Sequence, residues 1–192
     1  GKEIKYLDFY GGEPMLIEKH WEFLENNVLT GASSDQVIHY NTNCTIFPES
    51  KVDLYKKFKG LDISLSIDGY DKKLEYIRHP AKWSLLSENC LKWISFFDSL
   101  DIEIKKLNIC LTISIYNIYD LDKIYAELSK FGLNIYLNLV HMPEYLCISS
   151  IPTQYKELIY KKLITNVDLE KNSEYQSILN FMMQTTGCED KW

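Results

Sequence analysis

The stretch Tyr6-Leu-Asp-Phe-Tyr-Gly-Gly-Glu-Pro-Met-Leu16 decides how the rest of the sequence is interpreted. A short apolar run leads into two glycines, a carboxylate and a proline, and an amphipathic segment follows at once. Glycine lets the backbone approach a ligand because it has no Cβ, and proline suits the first turn of a helix. The stretch therefore predicts a ligand site at the carboxyl end of a parallel strand, formed by Gly11, Gly12, Glu13 and Pro14.

Composition narrows the class of protein. The 192 residues are 46% hydrophobic and 25% charged, which is ordinary for one globular domain. The net charge of −6 argues against a nucleic-acid partner, because a phosphate backbone requires a basic surface. No apolar run reaches about 18 residues, and the start of the chain does not resemble a signal peptide. We therefore expect a cytoplasmic protein with neither a nucleic acid nor a membrane as its partner.

The cysteines do not form a recognisable ligand pattern. There are five, at Cys44, Cys90, Cys110, Cys147 and Cys188. An odd number at wide spacing favours reduced thiols, and a local metal loop would place its ligands about two to four residues apart. We expect most of them to be buried apolar residues. We interpret Cys188 as a residue of a C-terminal tail rather than the start of an auxiliary-cluster region.

Strand-like and helix-like segments alternate along the chain. The hydrophobic patterns predict strands at residues 4–10, 36–40, 61–67, 106–116 and 134–140. They predict helices at residues 15–29, 48–58, 84–100, 119–131, 154–163 and 173–184, with a linker around Arg78. Strict alternation predicts a parallel sheet with right-handed crossovers. Five units followed by a helical tail fit either an open barrel or a doubly wound sheet.

Three motifs in series resemble the radical S-adenosylmethionine (SAM) superfamily. Tyr10-Gly-Gly-Glu-Pro-Met15 resembles the family's GGEP motif. Ser64-Leu-Ser-Ile-Asp-Gly69, followed after a short linker by Arg78, resembles the fourth-strand signature of the SPASM/Twitch branch. Asn41-Thr-Asn43 resembles the third strand of that branch. Their order and spacing agree with the family, and the resemblance covers roughly residues 4 to 145.

This resemblance implies a fold, a division of the chain and an activity. The fold would be an α/β partial (β/α)6 TIM-like barrel with parallel strands in sequential order, built from residues 1–150 and followed by a helical extension over 151–192. The activity would be the binding of SAM beside a [4Fe–4S] cluster, and the generation of a 5′-deoxyadenosyl radical that abstracts a hydrogen atom. The substrate would be a peptide or a small molecule, and a flavodoxin or ferredoxin would supply the electron.

Family positions also assign roles to residues of this sequence. The methionine ammonium of SAM would lie near Gly11, Gly12, Glu13 and Pro14. Other contacts to the cofactor would come from Ser66 and Arg78 (carboxylate or ribose), from Asn41 and Asn43 (ribose or adenine) and, more weakly, from Asn117. Asp68 is the candidate catalytic residue, since its family equivalent lies near the substrate. The alternatives are a plain strand–helix turn for the glycines, a solvated charge for Arg78 and a turn or cap role for Asp68, Asn41 and Asn43.

One departure from the family is large. The sequence contains no CxxxCxxC motif, so it holds no metal ligands for the cluster, and the strand at 4–10 would be the family's second. We expect a fragment that lacks the first strand and the cluster loop, with its cluster ligands upstream and no radical chemistry of its own. An unpaired edge at residues 4–10 would then favour self-association.

Two alternative functions stay open at this point. The first is a cluster-free, non-catalytic module that binds SAM, a nucleotide or a peptide. The second is an unrelated α/β phosphate-binding domain. The second is disfavoured because Glu13 places a carboxylate where a phosphate would lie, and because no glycine-rich loop with a lysine occurs.

Overall fold

Five parallel strands form one sheet in the computed structural model, which describes residues 4–166 and 173–184. They are β1 (Tyr6–Phe9), β2 (Val37–Thr42), β3 (Gly60–Ser66), β4 (Ile104–Ile113) and β5 (Asn134–Leu139). Their order in the sheet is β1-β2-β3-β4-β5. Leu7 is aligned with Ile38, and Ile38 with Leu61, in parallel register. The predicted parallel strands in sequential order are confirmed.

Helices alternate with these strands, as the sequence predicts. They are α1 (Glu18–Leu29), α2 (Val52–Tyr55), α3 (Asp71–Ile77), α4 (Trp83–Ser99), α5 (Leu121–Ser129), α6 (Thr153–Leu163) and α7 (Ser173–Gln184). The last two form the helical tail. Among the described residues, no helix combines the length and the apolarity needed to cross a membrane.

The chain divides into two compact units that interleave in sequence. The first contains the residues up to Ser66 together with Ala81–Ile109. The second contains Ile67–Pro80 together with the described residues from Cys110 onward. The division at residue 150 that the sequence suggests stays a prediction.

An aromatic and aliphatic core fills the first unit. Leu61, Ile63 and Leu65 alternate along β3 and are fully buried, as their period of two predicts. The ring of Tyr55 on α2 lies 5.9 Å from that of Tyr40 on β2 and 6.3 Å from that of Trp93 on α4. These rings join two helices and the sheet in one packed cluster.

Helix packing forms the core of the second unit. Leu121, Ile124 and Leu128 recur at helical spacing on α5 and are fully buried. The hydroxyl of Tyr175 on α7 donates a hydrogen bond to the carbonyl of Leu163 at the end of α6, at 2.7 Å. The two helices of the tail are therefore joined by a buried polar contact.

The four cysteines in the described part of the chain have free thiols and are buried, as expected. Burial raises the pKa of the Cys90 thiol to about 12, so it stays protonated at neutral pH. Cys188 lies outside the described residues.

The largest differences from the predicted elements concern three helical segments. The linker after the third strand contains helix α3, whose only buried residue is Leu74, so the segment has no repeating apolar pattern that would reveal it. The first helix begins at Glu18 rather than residue 15, because Pro14–Leu16 form a separate 3-10 turn. The helix predicted over residues 48–58 is limited to Val52–Tyr55.

Candidate functional site

The turn after β1 has a conformation that requires its glycines. Gly11 and Gly12 have φ angles of +82° and +58°, which L side chains rarely adopt. No heavy atom lies within 4 Å of the position that a Cβ would occupy at either residue. The turn ends where the amide of Leu16 donates to the carbonyl of Glu13 at 3.1 Å. The open space beside both glycines leaves room for a ligand to approach the backbone.

Glu13 is a buried carboxylate held from the end of β2. Its Oε2 accepts hydrogen bonds from the hydroxyl of Thr42 at 2.8 Å and from the amide of Asn43 at 3.0 Å. Burial raises the pKa of Glu13, and these donors and the nearby amide of Met15 offset the rise only in part. Oε1 has no partner with hydrogen-bond geometry among residues 4–166 and 173–184. One buried carboxylate oxygen is therefore left for a donor that a ligand would bring.

Helix α4 holds the loop that binds Glu13. Cys44 has a φ of +61°, a left-handed conformation that is strained for a residue with a side chain. Its amide donates to the hydroxyl oxygen of Thr42 at 3.1 Å, and its carbonyl accepts a hydrogen bond from the buried amide of Asn89 at 3.0 Å. Thr42 and Asn89 are supporting residues that the sequence analysis missed.

The two asparagines predicted after β2 have different positions. Asn43 reaches Glu13 through its backbone amide. Asn41 lies on the strand, where its side-chain nitrogen is 3.4 Å from Nε2 of His39. The structure therefore places Thr42 and Asn43 at Glu13, but not the side chain of Asn41. Alternation along the strand could have shown that Thr42 faces the side opposite to Asn41.

A second polar cluster lies at the carboxyl end of β3 and is built around Asp68. Oδ2 of Asp68 accepts a hydrogen bond from Nε of Arg78 at 2.7 Å and forms an ion pair with Nη2, also at 2.7 Å. Oδ1 accepts the backbone amide of Thr112 at 3.0 Å. Helix α3 makes this ion pair possible, because the amide of Arg78 is bound to the carbonyl of Leu74 at the helix end.

The side chain of Asn117 binds the backbone of this cluster. It is fully buried, and its side-chain nitrogen donates to the carbonyls of Asp68 at 3.0 Å and Thr112 at 2.8 Å. Its oxygen accepts the amide of Ser114 at 2.8 Å. These contacts favour a structural role, and the cofactor contact expected for Asn117 stays a prediction. Ser66 is half-buried at the end of β3.

A cavity of about 540 Å³ lies beside α3, in the second unit. Its lining is charged and comes from the start of α3 and from α5: Tyr70, Asp71, Lys72, Lys73, Glu75, Asp120 and Lys123. Lys73 and Asp120 form an ion pair at 2.5 Å within it. No residue of the predicted site lines this cavity, so it does not locate the cofactor.

The described residues fit the two family cofactors differently. The open glycine turn and the unpartnered Oε1 of Glu13 fit the cationic ammonium of SAM. No group of three or more His, Cys, Asp or Glu within residues 4–166 and 173–184 is placed to hold a metal ion. These residues therefore do not fit the [4Fe–4S] cluster, whose ligands the sequence analysis expects upstream.

Comparison by sequence found nothing similar. A scan against protein-family models gave no match, and neither did a search of curated proteins.

Comparison by structure found proteins of the same fold. SuiB of Streptococcus suis bound to S-adenosylmethionine aligns with a TM-score of 0.55 at 12% identity, over 86% of this chain and 36% of SuiB. SuiB bound to its precursor peptide SuiA aligns with a TM-score of 0.55 at 14% identity, over 86% and 36%. The native protein anSMEcpe, with bound AdoMet and a Cp18Cys peptide, aligns with a TM-score of 0.57 at 18% identity, over 94% and 49%.

These likenesses establish the fold. The chain shares the partial TIM-like barrel of these proteins, and its own five strands lie in sequential order. It spans between about a third and a half of their length.

Proposed function

We propose that this chain is the SAM-binding core of a radical SAM enzyme of the SPASM/Twitch type. Two kinds of evidence support the proposal. The GGEP, Asn-Thr-Asn and Ser-Ile-Asp-Gly motifs occur in the family's order. The fold matches proteins whose structures contain bound S-adenosylmethionine.

The observation that carries the proposal is the arrangement around Glu13. A charged carboxylate that is 7% exposed and has one unpartnered oxygen is costly unless a cation approaches it. The adjoining glycines leave space for that approach. An ammonium group donates hydrogen bonds and carries the complementary charge, so the methionine end of SAM suits this turn.

The chain's own residues act here by binding and orienting. Glu13 and the glycine turn would hold the ammonium, Arg78 is suited to a carboxylate, and Thr42 with Asn43 keeps Glu13 in place. When bound, SAM supplies the sulfonium and the adenosyl group on which hydrogen abstraction depends. Because the described residues do not fit a cluster, we propose radical chemistry only for a protein that also supplies the three cysteines.

A peptide is the substrate class that the comparisons favour. Two of the similar structures contain peptides, SuiA with SuiB and Cp18Cys with anSMEcpe. We extend this class to the full protein to which this core belongs, together with an electron donor such as flavodoxin or ferredoxin.

Calorimetric titration with SAM tests the binding proposal. We expect micromolar binding to the wild-type chain, and at least tenfold weaker binding to Gly12→Ala, because a Cβ would occupy the space that the ligand approaches. Gly31→Ala is the matched control, since Gly31 has a φ of +79° and equally open surroundings but lies after α1. Both variants should lose about 1–2 kcal/mol of stability from the left-handed conformation.

The SAM affinities of the two variants decide whether the turn after β1 is the binding site. Equal SAM affinity in Gly12→Ala and Gly31→Ala would show that the turn after β1 is not the binding site. An absence of SAM binding to the wild-type chain, with inorganic phosphate bound instead, would favour a phosphate-binding domain.

A further inference from the structure

We propose that Asp68 is a positioning residue, which fixes the guanidinium of Arg78 in one orientation so that its remaining N–H groups meet the carboxylate of SAM. This inference rests on the proposed function for the identity of the ligand. The role proposed here for Asp68 differs from the catalytic role that the family resemblance implies.

Both carboxylate oxygens of Asp68 are already engaged. Oδ2 accepts a hydrogen bond from Nε of Arg78 and forms an ion pair with Nη2, and Oδ1 accepts a hydrogen bond from the amide of Thr112. The residue is only 7% exposed. These contacts occupy most of the acceptor positions of the carboxylate, which favours a role in holding Arg78.

The partner of Asp68 is an arginine rather than a lysine. Arg78 is the sole arginine of the sequence, and the rest of its 21 basic residues are lysines. A guanidinium has five N–H donors in a rigid fork, whereas an ammonium is a point charge. Nε and Nη2 face Asp68, which leaves three N–H groups. A lysine could pair with Asp68 but could not hold a second anion in a fixed direction.

Hydrogen bonds hold the backbone of both members of this pair. The backbone of Arg78 is bound at the end of α3, through its amide and the carbonyl of Leu74. The backbone of Asp68 is bound by the buried side chain of Asn117. The guanidinium of Arg78 is anchored to Asp68, and the side chain is 25% exposed, so it is not closed off from a ligand. Such anchoring lowers the entropy that a binding group loses when its ligand arrives.

A measurement that needs no ligand tests the positioning itself. Because Arg78 is the sole arginine, its side-chain Nε–H gives a single arginine signal in ¹H–¹⁵N NMR spectra of the 192-residue chain. We expect this proton to exchange slowly with water in the wild type and at least tenfold faster in Asp68→Asn, because one amide oxygen cannot serve both Thr112 and Arg78. Asp122→Asn is the matched control, since Asp122 is also a partly buried, ion-paired aspartate of this unit. Fast exchange in the wild type, or no change in Asp68→Asn, would overturn the inference.

Titration then tests the consequence for the ligand. We expect Asp68→Asn and Arg78→Lys to weaken SAM binding by about tenfold each, the double variant to be no weaker than Arg78→Lys, and decarboxylated SAM to bind all variants equally. If Asp68 had a purely structural role, its substitution would weaken the binding of SAM and of decarboxylated SAM to the same extent. Undiminished SAM affinity in Asp68→Asn would exclude the positioning role. If Asp68→Asn does not fold, Asp68→Glu, which moves the carboxylate by one methylene, should show the same selective loss.

The two proposals can fail separately. If the wild-type chain binds no SAM, the proposed function and the assigned ligand fall together. The NMR signal then still decides whether Asp68 positions Arg78.

Discussion

Glu13 combines a structural constraint with a proposed binding role. Its pKa is raised from 4.5 because burial outweighs the hydrogen bonds from Thr42 and Asn43. The folded protein then binds this proton more tightly than the unfolded chain. The contribution of Glu13 to stability is therefore fully present below about pH 4.5 and is lost as the pH rises through the folded-state pKa.

We predict that Glu13→Gln removes this fall in stability while it weakens SAM binding at least tenfold. The amide keeps an oxygen for Thr42 and Asn43 but carries no charge for an ammonium. Urea unfolding between pH 4.5 and 8 measures the first effect, and titration with SAM at pH 7.5 measures the second. Unchanged affinity in a folded Glu13→Gln variant would contradict the role of the charge.

His20 should give a pH dependence of the opposite sign. Burial lowers its pKa from 6.5 to about 4, and its Nε2 lies 2.7 Å from the hydroxyl of Tyr40. The unfolded chain binds this proton more tightly, so the contribution of His20 to stability is present above pH 6.5 and is lost as the pH falls towards 4. We expect His20→Gln to remove up to about 3 kcal/mol of this dependence, as measured by urea unfolding at pH 7 and pH 4.

An exposed histidine provides the control for this prediction. His141→Gln removes an imidazole that is exposed after β5, so the difference between the two variants measures what the burial of His20 contributes. Equal slopes in the wild type and in His20→Gln would contradict a buried neutral imidazole.

The residues at the site show how far the sequence could predict them. Glu13 and Asn43 lie in motifs that the resemblance assigns to the cofactor, and the structure joins them through the backbone amide of Asn43. The motif assigns roles to Asn41 and Asn43, whereas the side chain that binds Glu13 belongs to Thr42 between them. Asn89 could not have been predicted, since it supports Cys44 from 45 positions away on another element and no local pattern marks a buried asparagine.

At the scale of elements, hydrophobic periodicity predicted the strands and helices whose apolar residues recur at regular spacing. The alternation in β3 and the three- and four-residue spacing in α5 were sufficient for correct strands and helices. Helix α3 has a single buried residue and was missed. It matters for the site because it brings Arg78 to Asp68, so the missed element also hid the clearest contact of that cluster.

Helix α7 protects one strand in a way that can be measured. Oε2 of Glu174 accepts a hydrogen bond from the backbone amide of Leu137 on β5 at 2.6 Å. β5 is the last strand of the sheet, so this amide would otherwise face outward. We predict that Glu174→Ala lowers the free energy of unfolding by about 1 kcal/mol, as measured by urea denaturation.

A glutamate on the neighbouring helix provides the comparison. Glu157→Ala removes an exposed carboxylate from α6 and should change stability by less than about 0.5 kcal/mol. If both variants are equally stable, the contact with Leu137 contributes nothing.

At the scale of the whole molecule, strand β1 is the element that favours association with another chain. In the part of the chain that the structure describes, β1 pairs only with β2, at one end of the strand order. Tyr6 on this strand and Tyr10 just after it are 70% and 71% exposed. An edge with exposed aromatic side chains is a template for pairing with another chain.

We therefore predict that this 192-residue chain self-associates as its concentration rises, and that Tyr6→Lys reduces the association. A lysine on an edge strand opposes pairing because its charge would be desolvated between the two strands. Sedimentation velocity over a hundredfold range of concentration measures the effect. Tyr155→Lys, at a tyrosine that is 52% exposed on α6, adds the same charge elsewhere and should leave association unchanged. If the wild type is a monomer throughout, the edge does not drive association; if both variants reduce it equally, net charge rather than strand pairing is the cause.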